Sequence, residues 1–159
     1  MVADMSYTTV SGVIDSWEEI RRIDDYEKKV GVALFTKLFD LEPEAKAIFG
    51  FDTKADVEKE LSKSPRFTKH AKYFIQMIDK ALGMLGPDID LLTEILLDLG
   101  QKHVGYGVKP EYFPSMGRAL IHAVKMQLGD EKFNDEVKDA WVEVYGALSY
   151  DMIRGQKQK

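Results

Sequence analysis

Two histidines, His70 and His103, lie on apolar stripes of predicted helices, and they are the residues best placed to do chemistry. Phe67, Phe74 and Ile78 share the face of His70 at offsets of three, four and eight residues. The face of His103 is formed by the preceding Leu92, Ile95, Leu96 and Leu99. An imidazole nitrogen that is buried without a partner costs about 1–3 kcal/mol, so each ring requires one.

Two interpretations account for this pair of histidines. Both rings can be core residues that are hydrogen-bonded to backbone carbonyls, or both can face one metal held between two helices. The segment between them is long enough for a helix, a turn and part of a second helix, and this separation suits one metal held between the two helices. His122 has Leu120 and Ile121 as chain neighbours but no matching partner, so we interpret it as a surface or interface residue.

The composition indicates a single soluble domain. The chain has 159 residues, of which 45% are hydrophobic and 31% charged, and no apolar run approaches the roughly 20 residues needed to span a bilayer. We therefore expect no membrane association. The net charge of -5, with acidic and basic residues interspersed, argues against a nucleic-acid partner.

The absence of cysteine limits the possible chemistry and the expected compartment. It excludes disulfides, thiolate metal sites, iron–sulfur clusters and cysteine nucleophiles, and it is consistent with a reducing environment. Residues 1–10 also lack the basic start and apolar core of a signal peptide. We expect a cytoplasmic location.

Helical periodicity dominates the first part of the chain. Apolar spacing predicts one helix over residues 13–20 and a second over residues 30–39 that stops at Pro43. A short helical turn to Phe49 follows. Residues 50–63 have the composition of a polar loop, and we interpret them as a mobile segment.

The remaining helices have recognisable start and stop signals. Ser64 and Pro65 form a cap and a first helical residue for the His70 helix, which runs to about residue 85 and ends at Gly86-Pro87. The His103 helix spans roughly residues 89–104, and Gly105-Tyr106-Gly107 ends it. Two further helices are predicted after Pro110 and after a cap at Asp130.

The predicted fold class is therefore all-α. No strand alternation or internal repeat is present, and seven to eight helices with short corners do not suit a four-helix bundle. We divide the chain into a flexible N-terminal segment at 1–10, one helical domain at 11–155 and a frayed tail at 156–159.

Several motifs, taken in order, resemble the globins, and among them the neuroglobin and cytoglobin branch of animal globins. They are Trp17, residues 34–43 (LFTKLFDLEP), Phe49, residues 64–70 (SPRFTKH), 99–103 (LGQKH), 107–109 (GVK) and 141–147 (WVEVYGA). The resemblance implies a globin fold of seven to eight helices around a haem pocket, and it covers residues 11–155.

By this resemblance, His103 corresponds to the proximal histidine that binds the haem iron, and His70 to the distal histidine on the opposite haem face. Phe49 corresponds to the phenylalanine that wedges against the porphyrin. The other implied pocket residues are Phe35, Phe67 and Phe74 on the distal side and Leu99 and Val108 on the proximal side. The implied cofactor is haem b, bound without covalent attachment because there is no cysteine to form a thioether.

The sequence departs from the family pattern at two pocket positions, Phe74 and Tyr73. Phe74 stands where the family usually has a smaller aliphatic residue, which predicts a crowded distal pocket. Tyr73 stands where a basic residue often reaches a haem propionate, so we expect its hydroxyl to bind there, with Lys69 or Lys102 as cationic partners. Phe35 is apolar, so the pocket lacks a tyrosine as a second donor to O2.

The resemblance implies a protein that reversibly binds O2, CO or NO, as an oxygen carrier does, with His70 on the iron when no gas is bound. Redox or sensor work with a reductase or electron-transfer partner remains open, as does turnover as an NO dioxygenase, nitrite reductase or weak peroxidase. Enzymatic activity is the less favoured class. A haem-free interaction module is the weakest alternative, because two well-placed histidines argue against it. Monomer and homodimer both remain open.

Overall fold

The computed structural model describes residues 5–56, 63–85, 88–105 and 108–157, and within these ranges the regular structure is entirely helical. The helices are α1 (Tyr7–Arg21), α2 (Tyr26–Leu41), a 3-10 helix (Pro43–Phe49), α3 (Pro65–Met84), α4 (Ile89–Gly105), α5 (Tyr112–Leu128) and α6 (Asp135–Gln156). The predicted all-α class, with seven helices in the described ranges, is confirmed.

The helix starts follow from local capping. Ser64 accepts a hydrogen bond from the Phe67 amide at 3.4 Å, and Pro65 is the first residue of α3, as predicted. The predicted cap at Asp130 is wrong. Gly129 reverses the chain at a φ of 85°, residues 130–133 form a turn, and Asn134 caps α6 by accepting from the Val137 amide at 2.9 Å.

Both ends of the chain are more helical than the sequence suggested. α1 starts at Tyr7, inside the segment 1–10, because the Ser6 hydroxyl accepts from the Thr9 amide at 3.2 Å. Gln156, assigned to the tail, is the last residue of α6. Residues 1–4 and 158–159 lie outside the described residues, as do positions 57–62 and the predicted helix breaks at 86–87 and 106–107.

One hydrophobic core joins all the helices. α2 packs mainly against α5 and α3, and α6 packs mainly against α4 and α1. The largest fully buried side chains include Trp141, Phe35, Phe39, Phe67 and Ile20. No helix among the described residues is both long enough and apolar enough to cross a membrane.

A carboxylate on α3 joins three helices through polar contacts. Asp79 accepts one hydrogen bond from Trp17 Nε1 on α1 and another from the Tyr26 hydroxyl on α2, each at 2.5 Å. Burial is the main reason that the pKa of Tyr26 is raised, and its hydrogen bond to Asp79 raises it further. Tyr26 therefore stays a neutral donor, and the side chain of Asp79 fixes α1 and α2 relative to α3.

Three glycines allow close backbone approach at two helix crossings. Gly31 of α2 lies against the Ala71 backbone of α3. At the α4–α6 crossing, a Cβ on Gly100 would come within 2.8 Å of the carbonyl carbon of Met152, and a Cβ on Gly155 within 2.8 Å of that of Leu97. Any larger residue would push these backbones apart, so the two glycines hold α4 directly on α6.

Candidate functional site

Phe35 lies at the centre of an aromatic cluster that the sequence predicted as the distal wall. Its ring centroid is 5.2 Å from that of Phe49, 5.3 Å from Phe74, 6.3 Å from Phe67 and 5.8 Å from the imidazole of His70. α2 supplies Phe35, the 3-10 helix supplies Phe49, and one face of α3 supplies the other three. The structure therefore brings all five predicted distal residues together.

The imidazole of His70 packs against the ring of Phe49, with their centroids 4.6 Å apart. Partial burial among these rings lowers the pKa of His70, and the positive charge of Arg66 lowers it further. The side chain nevertheless keeps an exposed edge. His70 is thus neutral at pH 7, with one nitrogen able to donate a hydrogen bond and the other able to bind a metal.

Arg66 organises the approach to His70, and sequence reasoning missed it. Its guanidinium donates to the Phe49 carbonyl at 3.1 Å and lies over the Phe51 ring, 5.3 Å from the centroid. Gly50, at a φ of 78°, allows the chain to turn beneath this guanidinium. A signal was available, because Arg66 precedes His70 by four residues and so shares its face of α3.

A buried lysine anchors the start of the loop that the sequence predicted to be mobile. Lys46 is only 8% exposed, and its Nζ donates to the carbonyls of Ala55 at 2.8 Å and Thr53 at 3.3 Å. Residues 50–55 are thereby tied to the 3-10 helix that carries Phe49. Nothing in the sequence distinguishes Lys46 from a surface lysine, because its partners are backbone carbonyls.

His103 is oriented by a hydrogen bond within α4. Its Nδ1 donates to the carbonyl of Leu99 at 2.6 Å, which places the ring proton on Nδ1 and the lone pair on Nε2. The Val108 amide donates to the His103 carbonyl at 3.1 Å, and the Val108 carbonyl accepts from Gln156 Nε2 of α6 at 3.1 Å. The predicted proximal residues Leu99, His103 and Val108 are therefore connected through hydrogen bonds.

The three residues predicted to meet a polar cofactor edge, Tyr73, Lys69 and Lys102, lie on exposed surfaces. Lys69 is exposed on α3. Tyr73 is 60% exposed on α3. Lys102, on α4, pairs with Asp98 at 3.0 Å on an exposed surface. His122 is partly buried on α5. Among the residues that the structure describes, no three His, Cys, Asp or Glu side chains converge as a metal cluster.

The arrangement provides an apolar aromatic wall with a neutral imidazole on α3, and a second imidazole on α4 in the Nε2-ligating tautomer. Such a pair suits a flat, apolar, metal-centred group that takes its ligands from imidazoles. A family model described as Globin matches residues 32–152. The chain belongs to the globin family.

Within that family the chain is similar to neuroglobins. It is 34% identical to the neuroglobin of Tetraodon nigroviridis over 125 residues, which cover 79% of this chain and 77% of that relative. It is 32% identical to the neuroglobin of Danio rerio over 143 residues, which cover 89% of this chain and 86% of that relative. The predicted resemblance is confirmed.

Solved structures confirm the globin fold. A hexacoordinated heme protein from an anhydrobiotic tardigrade superimposes with a TM-score of 0.84 at 20% identity, covering 98% of this chain and 97% of the other. The hexa-coordinate hemoglobin of Drosophila melanogaster gives a TM-score of 0.78 at 21% identity, with 93% of each chain covered.

Proposed function

We propose that this globin binds one haem b without covalent attachment and, through it, reversibly binds O2, CO and NO. The observation that carries the proposal is the hydrogen bond from His103 Nδ1 to the Leu99 carbonyl. This bond orients the ring and selects the tautomer with its lone pair on Nε2, as second-shell partners do for metal-ligating histidines. His103 is then the proximal ligand.

The residues around both histidines fit such a group. Haem presents a large apolar plate, so its binding requires aliphatic and aromatic walls, and Phe35, Phe49 and Phe74 supply them on the distal side. Leu99 and Val108 have the same role on the proximal side. When bound, the haem would supply an iron that takes imidazole nitrogens as ligands.

We further propose that His70 would also ligate the iron when no gas is present. Its lowered pKa keeps the imidazole neutral, and the ring of Phe49 packs against it. The neighbours in fold from the tardigrade and from Drosophila are both described as hexacoordinate. An external gas would then compete with His70, and if one site in ten were open the apparent affinity would fall about tenfold.

Absorption spectra of the purified protein test both proposals. Expression with a haem supply is expected to give about one haem per chain, with the split visible bands of a low-spin ferrous haem. His70→Leu is expected to give one broad high-spin band and faster CO binding. A broad five-coordinate spectrum in the unaltered protein would refute the role of His70 and leave that of His103 intact.

The proximal assignment has its own test. His103→Ala is expected to accelerate haem loss, because the cofactor would be held by apolar contacts and His70 alone. His122→Ala is the matched control, and it should leave both spectrum and haem retention unchanged. Equal haem retention in His103→Ala and the parent would overturn the assignment of His103.

The same residues would serve a redox or sensing role with a reductase partner, or turnover as an NO dioxygenase or nitrite reductase. These remain secondary proposals, which measured reduction rates and turnover would separate from gas binding. We also propose a cytoplasmic location, supported by the absence of cysteine.

A further inference from the structure

An open groove of about 850 Å³ lies between the first turn of α2 and the outer face of α3. Lys28 forms part of the α2 wall. The residues at the start of α3 and along its first three turns that line the other side are Lys63, Pro65, Thr68, Lys69, Lys72, Tyr73 and Gln76. Neither His103 nor the Phe35 cluster contributes to this lining, whereas Lys69 and Tyr73, which the resemblance places near a haem propionate, do.

The groove is positively charged on a molecule that is acidic overall. The chain has 27 acidic and 22 basic residues, yet every charged side chain that lines the groove is a lysine. No ion pair formed between described residues involves Lys28, Lys63, Lys69 or Lys72. The positive charge of the groove is thus not neutralised by pairing within the described structure.

The backbone and polar side chains of α3 add to this field. The positive end of the α3 dipole lies at the groove, beside Lys63 and Pro65, and the first turn of α3 carries no acidic residue. The Thr68 hydroxyl and the Gln76 amide provide neutral hydrogen-bond donors on the same wall. The lining therefore suits a ligand with several negative oxygens.

We propose that this groove is a binding site for a soluble polyphosphate, a small anion with two or more linked phosphates. Lysine binds phosphate as a compact point charge, and a volume of about 850 Å³ lies in the usual range for small-molecule sites. The cations come from both α2 and α3, so a ligand must reach both walls, and linked phosphates do so better than a single one. A flat lipid surface cannot enter a concave groove.

A polyphosphate bound in this way joins the first turn of α2 to the helix that carries His70. Because the ligand binds the folded protein through groups from two helices, its binding raises the temperature of unfolding. The interaction is electrostatic and exposed to solvent, so its strength decreases as salt shortens the Debye length.

Isothermal titration calorimetry with sodium tripolyphosphate tests the proposal in about 50 mM and about 300 mM salt. The test variant is Lys28→Gln with Lys72→Gln, which removes one cation from each wall. The matched control is Lys29→Gln with Lys80→Gln, which makes the same change in net charge on the same two helices outside the groove. We expect affinity to fall about tenfold in the test variant and less than twofold in the control.

Three outcomes would overturn the proposal. The first is no binding of tripolyphosphate to the parent protein at low salt. The second is equal weakening in the test and control variants, which would show attraction by overall charge alone. In the third, tripolyphosphate does not bind, but vesicles of phosphatidic acid in phosphatidylcholine bind the parent protein and not the test variant. That result would assign the lysines to a membrane surface.

Discussion

Replacement of Gly100 by alanine tests whether α4 is held directly on α6. An added Cβ would lie 2.8 Å from the carbonyl carbon of Met152 and 3.1 Å from the Gln156 amide nitrogen, whereas ordinary contacts begin near 3.4 Å. Both neighbours are backbone atoms of α6, so no side chain can rotate away. The carbonyl oxygen of Met152 would lie closer still, so the two helices must separate by more than an ångström.

Two opposing effects set the magnitude. Alanine is favoured over glycine inside a helix by about 1 kcal/mol, which stabilises the variant. Overpacking of a core typically costs about 1–3 kcal/mol, and a clash with backbone belongs at the upper end of that range. We therefore expect Gly100→Ala to lower the free energy of unfolding by about 2 kcal/mol, equivalent to a decrease in Tm of roughly 4–8 °C for a domain of this size.

Urea unfolding, followed by circular dichroism, measures the effect. Gly146→Ala is the control, because a Cβ at this exposed position of α6 has no neighbour within 4 Å, and we expect a gain of about 0.5–1 kcal/mol there. A displaced α4 also moves His103, so haem release should be faster in Gly100→Ala. Stability equal to or above that of the parent would refute the close crossing.

Three further outcomes follow from the polar contacts. In the haem-free protein, the lowered pKa of His70 means that the unfolded chain takes up a proton first as the pH falls below 6.5. The unfolding free energy should therefore decrease on acidification from about pH 7.5 to about pH 5.5, and less so in His70→Leu. Equal slopes in urea titrations of the two haem-free proteins would contradict this. In the haem-free protein, Arg66→Gln should also raise the pKa of His70, which NMR titration of its ring protons measures. An unchanged or lower pKa would exclude the charge effect of Arg66. Asp79→Ala leaves the Trp17 and Tyr26 donors without their acceptor, so the free energy of unfolding should decrease by about 1–3 kcal/mol. A decrease below about 0.5 kcal/mol would show that water replaces the carboxylate.

Local signals in the sequence were sufficient to predict the helices and the groups around each histidine. Ser64 and Pro65 located the start of α3, and the apolar stripes placed His70 and His103 on the correct helices, because capping and helical periodicity depend on residues only a few positions apart. The cap at Asp130 was wrong because a turn after Gly129 delays the helix, and capping propensity alone does not reveal such a turn.

What the sequence did not predict depends on contacts between distant segments. Lys46 is buried because the folded loop places the Thr53 and Ala55 carbonyls beside its Nζ, and sequence composition does not predict the positions of these carbonyls. The roles of Gly100 and Gly155 likewise depend on which helix crosses α4. A glycine in a helix indicates that something approaches closely but does not identify the approaching element.

The contact between α4 and α6 also sets the order of events during synthesis of the chain. Gly100 of α4 packs on the Met152 backbone of α6. The Val108 carbonyl, shortly after His103 in the chain, accepts a hydrogen bond from Gln156 of α6. Both contacts can form only after residues 152–156 have left the ribosome. The aromatic cluster of α2, the 3-10 helix and α3 can pack earlier, because its contacts span shorter stretches of sequence, whereas α1 packs mainly on α6. We therefore expect the distal cluster to form before the helix that carries His103 is fixed on α6, and any cofactor that needs both histidines to bind once α6 is in place.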